Sequence, residues 1–361
     1  MKSCEAGKHV LPVLQCSGSP KALGEAQGEA FRGQIQALIA QRLDALRGYF
    51  AERQQSYDEA QLWGTARGCL DVLERWDPEG YLEHLGVSEA AGVSPIHLHA
   101  VANMTDVRDI LLLGDRADAE GCTAFVAPRL ATMEGQIMAG QTWDLNPADL
   151  SYVVAVQRAP LEKPKTWSIT CVGCPSLISI NEVGIAAGTT NIKAYGSRVG
   201  IGYLNLLHRL MACTDLSSAR RVIDEAPRAA AHTYWVASET GAFDAECTAT
   251  ECAWRNLSDA ALIRTNHMLQ LGIHEAEPPT ESSLQRLETV GLQLSHDQLT
   301  LEGARALLAD RSCGFNSICR YPEDEQGTST NACVIALPYR RTLWACRGPA
   351  DHGAWAELCF S

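Results

Sequence analysis

The order of hydrophobic periods predicts an α+β chain in which a pair of antiparallel sheets carries helices on its outside. Three observations predict it. Up to about residue 113, apolar residues recur at the three-and-four spacing of a helix face. From Cys122 the period drops to two, the signature of strands. Strands then come in runs separated by helices, rather than alternating with them one by one, which disfavours a parallel βαβ sheet.

Each element follows from local signals. The apolar run 10–16 ends at Gly18 and Pro20 and reads as a first strand. A long amphipathic helix follows, with Leu23, Phe31, Ile35, Leu38, Ile39, Leu46 and Phe50 on one face and Glu25, Arg32, Gln36 and Arg42 on the other. A second helix covers about 58–75 and stops at Asp77-Pro78. Ser94-Pro95 is a helix start, a Ser N-cap ahead of Pro at the first helical position. That helix runs to residue 113 and ends at Gly114, with Met104, Val107 and Leu111 as core positions and His97 and His99 as structural histidines. Residues 115–121 form a polar loop leading into Cys122.

Next, 122–128 and 136–143 read as a hairpin, followed by strands at 152–157, 167–172, 177–180 and 184–190. Asn181-Glu182-Val183-Gly184 has the chemistry of a tight turn. Helices are expected at 203–213 and 216–226, the second capped by Asp215 and stopped by Pro227. Strands resume at 234–238, 243–248 and 261–264, helices at 282–294 and 301–308, and the tail 332–346 is strand-like.

Composition excludes several classes. The net charge of −13 and the lack of any basic cluster argue against a nucleic-acid partner. No run approaches the roughly 20 apolar residues that span a bilayer, and the N-terminus lacks a signal-peptide core. Fourteen cysteines scattered over 361 residues do not form a compact framework, so a reducing, cytoplasmic setting with free thiols is expected.

Chemistry centres on Gly121-Cys122. A thiol is a good nucleophile only as thiolate, so something must take its proton. Cleavage of the Gly121–Cys122 bond would place an α-amino group, of pKa near 8, on the same residue as the thiol. Gly121 leaves the scissile carbonyl open, and an N-to-S acyl shift followed by hydrolysis would free the new terminus. Gly-Cys pairs are common, and alone this one reads first as a small buried cysteine opening a strand. Asp144 closes the partner strand of the hairpin, where its carboxylate can lie beside Gly121-Cys122. Asn191 and Asn266 end two other strands; asparagine amides there serve either as oxyanion donors or as turn caps.

Gly121-Cys122-Thr123, Gly140-Gln141-Thr142-Trp143-Asp144, the run from Ile180 to Asn191, and Arg264-Thr265-Asn266-His267 occur in an order that resembles the acyl-CoA:6-aminopenicillanic acid acyltransferase family of N-terminal nucleophile hydrolases. The opening from Gly18 to Gly24 and Gly348-Pro349 resemble it too, so the likeness covers nearly the whole chain. It implies a single four-layer αββα sandwich, made as a zymogen and cut autocatalytically into an α chain, 1–121, and a β chain, 122–361, that stay associated. Cys122 would be the nucleophile, Asp144 the positioning aspartate and Asn266 the oxyanion-hole asparagine. Asn191, Gln141 and Thr142 are candidate oxyanion or substrate contacts. Gln141 stands where the related bile-salt enzymes carry arginine. A late active-site arginine is implied, with Arg320, Arg340, Arg341 and Arg347 as candidates.

The expected activity is hydrolysis of a small N-acyl amine or peptide-like amide through an acyl-enzyme, without cofactor or metal. Acyl-CoA-dependent transfer to a small amine is the alternative, and an uncleaved binding scaffold is the alternative of another class. Expected partners are a small-molecule amide or acyl donor and the chain's own fragment, with a higher oligomer left open. Cys171-x-x-Cys174 lacks the second pair a zinc site needs, and His232 or His267 could pair with a cysteine in a papain-like manner. Ser282-Ser283-Leu284-Gln285-Arg286 reads as the capped start of a helix.

Overall fold

The computed structural model describes residues 9–112, 121–276, 278–296, 298–325 and 327–360. The polar approach to Cys122 and the first eight residues lie outside the described residues. The helical part comprises β1 (Val13–Gly18), α1 (Pro20–Ala30), α2 (Arg32–Glu52), α3 (Glu59–Trp76), α4 (Pro78–Ala91), α5 (Pro95–Ala102) and α6 (Met104–Leu111). Then come β2 (Gly121–Ala127), β3 (Met138–Leu145), β4 (Val153–Pro160), β5 (Thr166–Cys171), β6 (Ile178–Asn181), β7 (Ala186–Asn191), α7 (Tyr203–Leu210) and α8 (Leu216–Glu225). The chain ends with β8 (His232–Ala237), β9 (Ala242–Cys247), β10 (Cys252–Asn256), β11 (Leu262–Arg264), α9 (Glu281–His296), α10 (Leu301–Leu308), β12 (Ser329–Leu337), β13 (Thr342–Arg347) and β14 (Ala356–Leu358).

Three sequence expectations need correction. The long first helix is two, broken at Phe31, whose backbone leaves the helical region while the apolar period runs on across the break. Asp77-Pro78 is a beginning as much as a stop: Pro78 opens α4, where its missing N–H has no helical partner to lose. Asn103 divides the helix begun at Ser94, and its side chain ties the break to α7 by hydrogen bonds with Leu204 N and Asn205 Oδ1.

Two sheets form, ordered β1-β4-β5-β6-β7-β8-β9-β10 and β11-β2-β3-β12-β13-β14. All pairings are antiparallel except β1 with β4. The alternation of β2 shows the layering. Cys122, Ala124 and Val126 join the core that faces the larger sheet, while Phe125 and Ala127 pack with Val290 of α9 and Leu307 of α10. Helices therefore cover both outer faces of a two-sheet sandwich, the αββα arrangement. Among the described residues, no helix is long and apolar enough to cross a membrane, and no cysteine is in a disulfide.

The α1–α4 contact depends on missing side chains. A Cβ at Gly24 would sit 1.9 Å from the Glu83 carbonyl oxygen, and one at Gly86 2.3 Å from that of Lys21. Gly24→Ala or Gly86→Ala gains up to ~1 kcal/mol in helix propensity but forces the helices apart, at about 1–3 kcal/mol or more. The clash wins, and thermal denaturation should show a Tm several degrees lower. Glu83, buried on α4, is hydrogen-bonded to Arg158 of β4 at 2.6 Å and lies 3.3 Å from His208 of α7. Burial alone would raise its pKa, but Arg158 and His208 outweigh it and hold the carboxyl down at about 2. A carboxyl lowered in the folded state stabilises above its unfolded pKa and loses that contribution as pH falls through the folded one. Acid unfolding should therefore steepen between about pH 4.5 and 2, and Glu83→Gln should flatten this pH dependence.

Candidate active site around Cys122

Hairpin register sets the site. Gly121 pairs with Asp144 and Cys122 with Trp143, so the two strands bring the glycine, the thiol and the carboxylate to one end of the smaller sheet. β11, on the other side of β2, delivers Asn266 two residues beyond its last strand residue. The Cys122 N–H donates to Asn266 Oδ1 at 2.9 Å. Asn266 Nδ2 donates to the Asn191 carbonyl at 2.9 Å, which leaves its second N–H for another acceptor.

Two buried arginines clasp the Gly121-Cys122 backbone. Arg286 of α9 donates through Nη1 to the Cys122 carbonyl at 2.5 Å and to Thr123 Oγ1 at 2.9 Å, and through Nη2 to Asn266 Oδ1 at 2.8 Å. Arg320 donates to Thr328 Oγ1 at 2.7 Å and Ser282 Oγ at 2.8 Å. Its guanidinium leaves no room beside Gly121: a Cβ there would lie 2.9 Å from Arg320 Cζ and 3.0 Å from Asp144 Oδ2. A side chain at Gly121 would have to displace the ends of Arg320 and Asp144.

Asp144 is buried, with Oδ1 accepting from Thr330 Oγ1 at 2.7 Å. Its Oδ2 has no hydrogen-bond partner among the described residues. Burial pushes the carboxyl up, against Arg320, Arg286 and the hydroxyls of Thr330 and Thr142. Burial and the adjacent Arg320 bring Arg286 down to about 10, with Asp144 and Cys122 opposing. An unsatisfied carboxylate oxygen beside Gly121 is a receptor for a new N–H donor.

A cleft enclosing about 370 Å³ opens over Cys122. Trp143, Leu145, Leu177 and Tyr203 give it apolar walls, and Thr189, Asn191 and His232 add polar groups. His232 Nε2 lies 2.6 Å from Asp106 Oδ1, and its ring stacks on Tyr203 with centroids 4.5 Å apart. Its Nδ1 has no hydrogen-bond partner among the described residues. A larger cleft of about 480 Å³ beside Glu83 and Arg158 contains no thiol, so size alone does not choose the site.

The structure brings Cys122, Gly121, Asp144, Asn266 and Asn191 to this cleft. Gln141 and Thr142 do not line it. Gln141 is fully buried between the sheets, donating to the Thr189 carbonyl and accepting from Trp235 Nε1, both at 2.6 Å. Thr142 Oγ1 accepts from Thr123 N across the hairpin at 3.2 Å. Of the four late arginines, Arg320 reaches the site, whereas Arg340 pairs with Glu134 at the surface. His267 bonds to Ser283 Oγ and Thr265 Oγ1 and faces neither Cys122 nor solvent. Cys171 and Cys174 are buried thiols near Arg42, pushed up by burial.

Arg286 was not among the sequence candidates. The available signal was the spacing of Ser282 and Arg286, which places both on one helix face and which the capping reading of Ser282 obscured; Ser282 in fact accepts from both arginines. The Asp106–His232 pair joins residues far apart in sequence and left no local pattern.

A family model described as acyl-coenzyme A:6-aminopenicillanic acid acyl-transferase matches residues 131–351, more than half of the chain. The match takes in Asp144, Asn266, Arg286 and Arg320 and begins just after Cys122. No curated protein matches in sequence. Among solved structures, penicillin V acylase from Agrobacterium tumefaciens is similar at 11% identity and a TM-score of 0.40, over 63% of this chain and 83% of that one. A mutant of conjugated bile acid hydrolase from Clostridium perfringens is similar at 11% identity and a TM-score of 0.38, over 66% and 97%. A second variant of that hydrolase gives 10% identity and 0.39 over the same shares. On the family match, the chain belongs to the acyl-coenzyme A:6-aminopenicillanic acid acyl-transferase family.

Proposed function

We propose that the protein is a self-processing cysteine amidase acting on small N-acyl amines or peptide-like amides, with Cys122 as nucleophile. The observation that carries this reading is the clasp on Gly121-Cys122: Asn266 on the amide nitrogen, Arg286 on the next carbonyl, and Arg320 with Asp144 against the glycine. In processing, Cys122 Sγ attacks the Gly121 carbonyl carbon, the C–N bond breaks, and the acyl group moves to sulfur. Water then cleaves the thioester, leaving a carboxylate on Gly121 and a free amine on Cys122.

The released ammonium carries more donors than the amide it replaces. Asn266 Oδ1 keeps one, and Asp144 Oδ2 stands ready for another. In turnover the neutral amine takes the thiol proton, the thiolate attacks the substrate carbonyl, and the spare Asn266 N–H meets the developing oxyanion. The leaving amine receives the proton, and water resolves the acyl-enzyme. The residues span both sides of the cut, so the fragments 1–121 and 122–361 would act as one unit.

The family's description favours a second reading, in which an acyl thioester such as acyl-CoA loads Cys122 and a small amine takes the acyl group. The first half-reaction is shared. Incubation with one acyl donor, with and without an added amine, separates the two: free acid throughout supports the amidase, and acylated amine supports transfer. Iodoacetamide should label Cys122 ahead of the buried thiols Cys171 and Cys174, as peptide mass mapping would show. Failure to label Cys122, together with no amine release across a library of N-acyl amines, would leave only a non-catalytic scaffold.

A further inference from the structure

Away from the Cys122 cleft, the edge hairpin β9–β10 sets Cys247 directly opposite Cys252, with their sulfurs 2.8 Å apart. The backbone bond next to the turn runs from Thr248 N to the Glu251 carbonyl at 2.9 Å. Ladder bonds alternate along an antiparallel pair, so 247–252 falls at a position without them, where facing side chains stand closest. A disulfide holds its sulfurs at about 2.05 Å, so closure asks for a movement of under ~1 Å. We propose that Cys247 and Cys252 are a reversible redox-modification site, closing an intrachain disulfide across this hairpin when the protein meets a small disulfide oxidant of the glutathione class.

Access and acidity give the two thiols different parts. Cys252 is partly exposed and Cys247 is buried. The hydrogen bond from Cys247 holds the Cys252 thiol below its ordinary range, while burial pushes Cys247 well above it. Cys252 thiolate attacks one sulfur of oxidised glutathione and expels the first glutathione thiolate. Cys247 then gives up its proton and attacks the Cys252 sulfur, breaking the mixed disulfide and releasing the second glutathione. Two protein thiols are oxidised and one oxidant molecule is reduced to two thiols. The bond would brace the strand from which Glu246 accepts the backbone N–H groups of Leu269, Gln270 and Leu271, just beyond Asn266.

Cys333 and Cys346 are likewise paired across β12–β13, but both are fully buried and out of the oxidant's reach. They form an internal control. The native full chain is incubated with oxidised glutathione, blocked with N-ethylmaleimide, digested with trypsin and weighed. The expected result is that the peptide 229–255 loses about 2 Da and takes no maleimide, reversibly with dithiothreitol, while the peptides carrying Cys333 and Cys346 stay unlinked. In Cys252→Ser, Cys247 should stay reduced. A lasting glutathione adduct on Cys252, maleimide on both thiols after oxidation, or a bond from either to another cysteine would overturn the proposal.

Discussion

A Cys122→Ala chain is expected to stay at full length and to release no amine from substrates that the wild type turns over. The loss should reach roughly 10⁴-fold or more, because removing a nucleophile leaves only binding and oxyanion stabilisation. Folding should survive. Cys122 is a small side chain lining the cleft, and replacing its sulfur by hydrogen removes little packing, about 1 kcal/mol. A Tm within a few degrees of wild type, measured beside the activity, separates lost chemistry from lost structure. Cys122→Ser keeps an attacking oxygen of much lower acidity than a thiol, so slow processing with little turnover is the expected intermediate result. Full turnover in the alanine variant would remove Cys122 from the mechanism.

Arg286→Met should be the next most damaging change. It withdraws the donors to the Cys122 carbonyl, Thr123 Oγ1 and Asn266 Oδ1 together. With Oδ1 held only by the Cys122 nitrogen and Nδ2 by the Asn191 carbonyl, the Asn266 amide is less firmly oriented and its spare N–H less well aimed, and full loss of one oxyanion donor lowers kcat by about 10²–10³-fold. KM should move far less, since the interaction lost belongs to the transition state. Arg286→Lys is not expected to rescue, because one ammonium cannot span the three acceptors that the guanidinium fork joins. Stability should also fall by roughly 1–3 kcal/mol, from buried acceptors left unmatched, so kcat must be read below the variant's own Tm. Arg340→Met is the comparison: its surface pair with Glu134 contributes at most about 1 kcal/mol, and kcat should be unchanged.

Much of the site was legible because strand period and strand ends are local properties. Two alternating runs around Arg129 read as a hairpin, and an Asp at the end of the second could lie beside the start of the first; the register pairs Asp144 with Gly121. Asn266 was legible for the same reason, as an amide just past a short strand. Where side-chain direction across layers decides, local pattern failed. Gln141 and Asp144 lie three apart on β3 and so project to opposite faces, which sends Gln141 between the sheets and Asp144 to the site's end. The period of α9 marks an amphipathic helix but does not say that its Ser282–Arg286 face docks over β2. Helix α4 escaped because its contact with α1 is made through glycines, which carry no hydrophobic signal, and because proline can open a helix as well as end one.

The most direct measurement is the intact mass of freshly purified wild-type protein under denaturing conditions, with N-terminal sequencing of what is found. Two polypeptides are expected, with masses that sum to the full chain plus one water, the larger beginning Cys122-Thr123-Ala124. A single full-length chain, stable on prolonged incubation and yet releasing amine from an N-acyl substrate, would contradict this.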